Sequence, residues 1–257
     1  MDRTIARPMD LIHSSERCWR QEAVVGWFFK PTMIQHERSS SSSSSVTCRF
    51  AAGEQHLLKG ILQLQAENLK GRVADKTQGF LTLLHDLGEL QDMNKEIGQV
   101  VAVTTTTTED PTMVNNGNGT NKHSCGSSNN NKNQTEAVVG YVLMMPVSLR
   151  DRISMVDTLV KNLERQNLMT PGVAYCVGGQ VCVERSHRGQ GLLRAMYQHH
   201  RRQLCRCYSS LVTAVSTANP TSLRAHQKIG FRILATFDDP EDTWHALLWE
   251  WNTENVE

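Results

Sequence analysis

QVCVERSHRGQGLLR, residues 180–194, is the most informative stretch of the chain for predicting its fold and its chemistry. Its first residues are apolar and partly β-branched, which predicts a strand, and two glycines then lead into an amphipathic helix. Gly189 and Gly191 have no Cβ atom, so a bulky anion can approach the backbone closely. The first amides of a helix lack partners within it, and the helix dipole adds partial positive charge. The stretch therefore predicts a phosphate-binding turn.

Two cationic side chains, Arg188 and Arg194, flank this turn. Two glycines between a strand and a helix are about as often ordinary turn chemistry, so the spacing alone leaves that alternative open. The patterns GxGxxG and GxxxxGK[ST] are both absent from the sequence. Their absence disfavours a dinucleotide-binding protein and a nucleotide hydrolase.

A second stretch, STANPTSLRAHQKIGF at residues 216–231, carries clear helix boundaries. Asn219 is suited to cap the helix, Pro220 to its first position and Gly230 to its exit. These signals predict a helix over residues 220–229.

Together, RGQGLLRAM at residues 188–196 and the stretch at residues 216–231 resemble the GCN5-related N-acetyltransferase (GNAT) superfamily. Its members carry R/Q-x-x-G-x-G/A after the fourth strand and N-x-x-(A/S)-x-x-x-Y/H-x-x-x-G-F after the fifth, with a separation that fits this sequence. The segment TWHALLWEW, residues 243–251, is similar to the last strand of the superfamily. The resemblance covers about residues 49–251.

Hydrophobic periodicity predicts an alternation of helices and strands. We expect helices at 54–69, 78–93 (with Thr77 as N-cap), 149–166, 191–207 and 220–229, and strands at 97–103, 137–145, 173–184, 210–217, 231–237 and 243–251. This order indicates one sheet with helices on its faces. The resemblance implies an α/β fold of the α+β type, with a mixed, mostly antiparallel sheet of about six to seven strands flanked by helices on both faces.

The chain is expected to contain one folded domain, residues 46–252. Residues 1–45, which end in a serine run, predict a disordered or weakly ordered extension. Residues 104–135 are rich in Thr, Asn, Gly and Ser, and such a composition buries too little apolar surface to offset the chain entropy. We therefore expect a disordered insertion within the domain.

The resemblance also implies a set of residues that bind acetyl-CoA. The diphosphate would be held by backbone amides of Arg188, Gly189, Gln190, Gly191, Leu192 and Leu193, with Arg194 beside them. Main-chain groups of Val181, Cys182 and Val183 would bind the pantetheine arm, and Asn219 would contact it from the neighbouring strand. Leu193 departs from the pattern, which has Gly or Ala at that position.

His226 occupies the position at which many members carry a tyrosine that protonates the departing thiolate. The alternative is a histidine that packs on or beside the core. No single general base is indicated: Glu184, Glu136, Tyr175 and a relaying water all remain open. Cys182 could form an acyl-cysteine, but an apolar strand thiol is more often inert packing.

The resemblance implies an acetyl-CoA-dependent N-acetyltransferase that uses a ternary complex and a primary amine acceptor. The alternative is a non-catalytic or sensory CoA-binding module. Antibiotic, polyamine, amino acid, protein N-terminus and lysine all remain open as acceptors, and the oligomeric state is open.

Other functions are disfavoured by the composition. A net charge of +1 gives no overall attraction to nucleic acid or to an anionic membrane, and the basic helix around Arg201 is better explained as a solvated face. The seven cysteines include no CxxC pair, and Cys205 and Cys207 do not form a zinc pattern with the neighbouring histidines, so no metal is expected. The longest apolar run, residues 137–147, is too short to span a bilayer. Without a signal peptide, a cytoplasmic location is expected.

Overall fold

The computed structural model describes residues 32–34, 45–108, 133–240 and 242–251. One mixed sheet of eight strands runs through it, in the order β1-β2-β3-β4-β5-β6-β8-β7. Every neighbouring pair is antiparallel except β5 and β6. The strands are β1 (Thr32–Ile34), β2 (Ser45–Phe50), β3 (Val100–Thr108), β4 (Asn133–Pro146), β5 (Tyr175–Val183), β6 (Ser210–Ser216), β7 (Arg232–Asp238) and β8 (Thr243–Glu250).

Five α-helices among the described residues cover both faces of this sheet. They are α1 (Gln55–Asn68), α2 (Leu87–Glu96), α3 (Ser154–Arg165), α4 (Leu192–Leu204) and α5 (Pro220–Ile229). Buried side chains of α1, α2 and α3 form a core against one face, and those of α4 and α5 form a second core against the other. The predicted fold class is confirmed. The count exceeds six to seven because β1, three residues long, adds an edge strand from the region expected to be weakly ordered.

The prediction of one helix over residues 78–93 with Thr77 as its cap was wrong. Lys76–Gln78 form a single turn of 3-10 helix, and α2 begins only after Asp86. Asp86 and Glu89 form a capping box there: the Asp86 carboxylate accepts from the Glu89 amide at 2.8 Å, and the Glu89 carboxylate accepts from the Asp86 amide at 3.1 Å. The helix therefore starts late, and the residues before it are free to extend across the molecule.

Two further boundaries differ from the predictions. The expected helix over residues 149–166 is divided into a 3-10 helix, Val147–Arg152, followed by α3. Strands β3 and β4 continue into the segment expected to be disordered, since Thr104–Thr108 pair with Ala137 through Asn133. Residues 109–132 and most of the serine run lie outside the described residues. Among the described helices, none is long and apolar enough to cross a membrane.

Candidate active site

The sheet opens between β5 and β6. These strands are paired only over Tyr175–Val177 and Ser210–Val212, after which the Thr213 hydroxyl donates to the Gly178 carbonyl at 3.0 Å. On its other side β6 pairs with β8 along its whole length, and β5 pairs with β4 across a register shift next to Gly178. The two strands diverge from this point, and the divergence leaves a cleft in the sheet.

Main-chain groups of β5 face this cleft. The Glu184 amide donates to the Val139 carbonyl of β4 at 2.8 Å. Because main-chain groups alternate in direction along an antiparallel pair, those of Cys182 also face β4, whereas those of Val181 and Val183 face the cleft. The expectation for Val181 and Val183 is therefore compatible with the geometry. The main chain of Cys182 is turned the other way, although the residue lines the groove.

The glycine turn between β5 and α4 presents a row of free amides. Gly189 and Gly191 have φ angles of +76° and +80°, a conformation that residues with a Cβ rarely adopt. A Cβ atom on either glycine would meet no atom within 4 Å, so the glycines serve the backbone conformation and leave the space in front of it open. Gly191 precedes α4, and the first bond there runs from the Ala195 amide to the Gly191 carbonyl at 3.0 Å. Among the described residues, the amides of residues 189–194 have no acceptor.

A groove of about 540 Å³ brings this turn together with the cleft. Ten of the eleven residues expected to bind the cofactor line it: Val181, Cys182, Val183, Arg188, Gly189, Gly191, Leu192, Leu193, Arg194 and Asn219. Gln190 is not among them, and its side-chain amide instead donates to the Ser186 carbonyl at 3.3 Å. Leu193, the departure from the superfamily pattern, also packs against the core beside α4.

The groove is electrostatically one-sided. Among its described lining residues there is no Asp or Glu. Four cationic side chains line it: Arg188, Arg194, Arg224 and Lys228. Arg224 and Lys228 were not predicted to belong to the site, although both lie in the second motif, on α5. A chain with a net charge of +1 thus concentrates positive charge at one site.

Arg188 was expected to hold the diphosphate through its amide, but this amide donates to the Arg185 carbonyl at 3.3 Å. The guanidinium of Arg188 donates through Nε to the Val183 carbonyl at 2.8 Å and through Nη2 to the Asn68 side chain at 3.1 Å. Nη1 donates to the Gln78 carbonyl. Residues 76–84, which we call the strap, are therefore attached to the wall of the groove by this arginine.

Asn219 also holds the strap. Its side-chain oxygen accepts from the Ser222 amide at 3.1 Å, as expected of an N-cap, and its amide nitrogen donates to the Phe80 carbonyl at 3.2 Å. The hydroxyl of Thr221 donates to the Thr77 carbonyl at 2.6 Å. The side chain of Asn219 is thus engaged by the protein itself, whereas it was expected to bind the pantetheine arm.

His226 is buried, with 2% of its surface exposed. One ring nitrogen, Nδ1, lies 2.8 Å from the Ser222 carbonyl, and the other, Nε2, lies 2.9 Å from the Tyr197 hydroxyl. Since a carbonyl only accepts, the proton is on Nδ1, and Nε2 accepts from Tyr197. Burial lowers the pKa of His226 to about 4, so the ring is neutral at pH 7. This geometry favours the packing alternative over the role of a thiolate acid.

A second, smaller cavity of about 90 Å³ lies where the strap meets β6 and β8. Phe80 and Leu81 of the strap line both cavities. The candidates for a general base line neither of them. Glu184 pairs with His187 at 2.7 Å, Glu136 pairs with Arg49 at 2.7 Å, and burial raises the pKa of Tyr175.

Cys182 lacks the properties of a nucleophile. Burial raises the pKa of its thiol to about 12, and a thiol reacts as the thiolate. Its 7% exposure and its place in the core next to β4 agree with the packing alternative.

The sequence matches no protein-family model and no curated protein sequence. Solved structures similar to the chain include N-acetyltransferases and a structure with acetyl-CoA bound. NAA60 from Arabidopsis thaliana, in complex with acetyl-CoA, is 10% identical with a TM-score of 0.48, over 80% of this chain and 99% of that one. The ribosomal-protein-alanine N-acetyltransferase from Brucella melitensis is 15% identical with a TM-score of 0.43, over 79% and 99%. A spermidine N-acetyltransferase SpeG chimera from Vibrio cholerae and hSSAT is 14% identical with a TM-score of 0.42, over 80% and 95%. At these values, the activity of the chain has to be inferred from its own residues.

Proposed function

We propose that this protein is an acetyl-CoA-dependent N-acetyltransferase that transfers the acetyl group to a primary amine by direct attack in a ternary complex. The observation that carries the proposal is the row of amides at residues 189–194, which have no acceptor among the described residues. All of these residues except Gln190 line the groove, and no carboxylate is among its described lining residues. The amides of residues 192–194 open α4 and lack partners within it, and the two glycines leave the space in front of them open, so the row fits an anionic ligand. A diphosphate suits both the number of donors and the surrounding positive charge.

The residues of the chain divide the binding of this co-substrate between them. The amides around Gly191 would grip the diphosphate, and Arg194, Arg224 and Lys228 would add charge. The main-chain groups of Val181 and the amide of Val183 would pair with the amide groups of the pantetheine arm, in the manner of an added strand. The Val183 carbonyl already accepts from Arg188. Acetyl-CoA supplies an acetyl group activated as a thioester.

The transfer requires a neutral amine, which attacks the carbonyl carbon as the carbon–sulfur bond breaks. The cleft-facing amide of Val181 is positioned to donate to the carbonyl oxygen as it gains negative charge. A thiol has a pKa of about 8.5, so the departing sulfur is tolerable as an anion and needs no strong acid. Neutral His226 is therefore compatible with turnover, and the proton of the amine is left to water.

The alternative, a CoA-binding module without catalysis, draws on one observation: among the described residues no carboxylate lines either cavity. The histidine of the smaller cavity, His226, has both ring nitrogens engaged. Such a module would bind acetyl-CoA and release no thiol with any amine. An enzyme would release thiol in the presence of an acceptor.

The test begins with acetyl-CoA binding, measured by calorimetry and by thermal unfolding. At a concentration of 100 Kd the ligand should stabilise the fold by about 2.7 kcal/mol. Gly191→Glu should abolish this stabilisation, because it puts a carboxylate against the phosphates. Gly53→Glu is the matched control: Gly53 also has a positive φ, +83°, and open space around its Cβ position, but it lies outside the groove. An equal response to acetyl-CoA in both variants would refute the location of the diphosphate.

A further inference from the structure

Building on the proposed function, we infer that the acceptor is the free α-amine of a peptide or protein whose first residue is uncharged. The inference comes from the 90 Å³ cavity, which adjoins the cleft and shares the strap with the cofactor groove. It is the place where an amine could meet the thioester, since Val181 lines both cavities.

The lining of this cavity carries no formal charge. Its described residues include no Asp, Glu, Lys or Arg, and the polar groups are neutral amides and hydroxyls such as Gln180, Thr213 and Ser216. His226 is the titratable side chain in the lining, and both of its nitrogens are engaged. The acceptor pocket thus offers neither a counter-charge for a cation nor a free base.

One carboxylate, that of Asp242, is hydrogen-bonded to a lining residue, and it already has partners within the protein. Asp242 accepts from the Ser216 hydroxyl at 2.7 Å and pairs with Lys70 at 3.5 Å. Although burial alone would raise it, the pKa of Asp242 is lowered by the donors around the carboxylate, first of all Ser216. A carboxylate with a lowered pKa and a bound lysine is a poor base and gives little attraction to a second cation.

A site of this kind selects an amine that is neutral by its own chemistry. An α-amine has a pKa of about 7.7–8.0, so roughly a third of it is neutral at pH 7.5. A lysine ε-amine has a pKa of about 10.4, and only about 0.1% of it is neutral at the same pH. The neutral, reactive fraction of an α-amine is therefore roughly 200–300 times that of a lysine ε-amine. Among the described residues of the cavity, no group would deprotonate the lysine and so offset this difference. Polyamines and cationic antibiotics also lack a counter-charge there.

The lack of charge in the described lining of the cavity also favours a peptide over a free amino acid as the acceptor. The carboxylate of an amino acid would need a cation or a cluster of donors, and no lysine or arginine lines this cavity among the described residues. In a peptide the carboxylate is replaced by a neutral amide. The rim adds an apolar surface on which a chain can lie, because Leu83 and the adjacent Leu84 are 39% and 46% exposed.

The test compares matched acceptors with the full-length protein. The probes are an alanine-initiated peptide without lysine, the same peptide N-acetylated and carrying one lysine, spermidine, alanine and alaninamide. Thiol release and product mass are measured under identical conditions. We expect kcat/KM to be at least a hundredfold higher for the free N-terminus than for the lysine peptide or spermidine, and higher for alaninamide than for alanine. Faster acetylation of spermidine or of the lysine peptide would overturn the inference.

A pair of variants on the rim tests the cause. Leu83 lines the cavity and is 39% exposed, and its carbonyl, which accepts from Gln180 at 2.8 Å, is retained on substitution. Leu83→Glu supplies the missing carboxylate and should raise the ratio of spermidine to peptide kcat/KM at least tenfold. Leu84→Glu, outside the lining, should leave the ratio near the wild-type value. Equal ratios in the two variants would contradict the role of charge in selection.

The outcomes distinguish this inference from the proposed function. If acetyl-CoA does not bind, the proposed function fails and the acceptor class fails with it. If acetyl-CoA binds and only cationic amines are acetylated, the transferase proposal survives and the α-amine acceptor is wrong. If acetyl-CoA binds and no acceptor releases thiol, the CoA-binding module replaces the enzyme, and the acceptor class falls with it.

Discussion

The protonation state of His226 determines whether it can act as an acid, and it can be measured through stability. The ring is neutral in the folded protein because burial lowers its pKa from 6.5 to about 4. Between these values the unfolded chain binds a proton that the folded one does not. The stability contributed by the neutral ring is therefore fully present above pH 6.5 and is lost as the pH falls toward 4.

The magnitude follows from the two pKa values. Lowering the pKa of the ring from 6.5 to about 4 corresponds to a loss of unfolding free energy of roughly 3 kcal/mol once both states are protonated. Between pH 7.5 and pH 5.0 the loss is about 2 kcal/mol. We expect wild type to lose about 2 kcal/mol more than His226→Asn over this interval. Asparagine can still donate to the Ser222 carbonyl, but it does not titrate. Buried His199 and His200, whose pKa values burial lowers to about 4 and about 3, contribute equally to both proteins and cancel.

The assay is urea unfolding of both proteins at the two pH values, with the slopes compared to check that unfolding exposes the same surface. His226→Asn is expected to be less stable at both pH values, because Tyr197 loses its acceptor; the prediction concerns only the difference between the pH values. If both proteins lost the same stability on acidification, the ring would not be held neutral. The packing assignment would then be refuted, and the acid role of His226 would return.

Two further predictions concern the groove and the segment between β3 and β4. Arg194→Ala and Lys228→Ala should each weaken acetyl-CoA binding about fivefold at low ionic strength and less at 0.5 M salt, because salt screens exposed charges. Lys95→Ala, on the surface of α2, is the control. An equal loss of affinity in Lys95→Ala would contradict a local effect of the groove cations. Replacing residues 109–132 with a short glycine-rich turn should leave cooperative unfolding and acetyl-CoA affinity unchanged, because Thr108 and Asn133 are already paired across the two strands; loss of cooperativity or of soluble protein would show that the segment contributes to the fold.

Local signals in the sequence were sufficient to predict much of the fold. The helix at Pro220–Ile229 was predicted with its observed bounds, because Asn219, Pro220 and Gly230 are boundary signals that act within one turn. The strap was not predictable in this way. The spacing of Phe80, Leu83 and Leu84 imitates a helix, whereas the observed path is held in part by Arg188, more than a hundred residues away in the chain.

The candidate site was likewise predictable only in part. The glycines of residues 189–191 indicated the phosphate turn, because positive φ and free amides are properties of the local backbone. The roles of Arg188 and Asn219 depend on what packs against them, and the sequence carries no signal that the strap would take up their donors. The burial of His226 depends in the same way on Tyr197 from another helix.

The strap forms a wall that the two cavities have in common, through Phe80 and Leu81. A ligand that fills the larger cavity would contact the segment that also shapes the smaller one. Steady-state kinetics should therefore be sequential with a compulsory order, in which the thioester is the leading substrate and the free thiol is the last product to dissociate. Product inhibition by CoA would be competitive with acetyl-CoA and non-competitive with the amine.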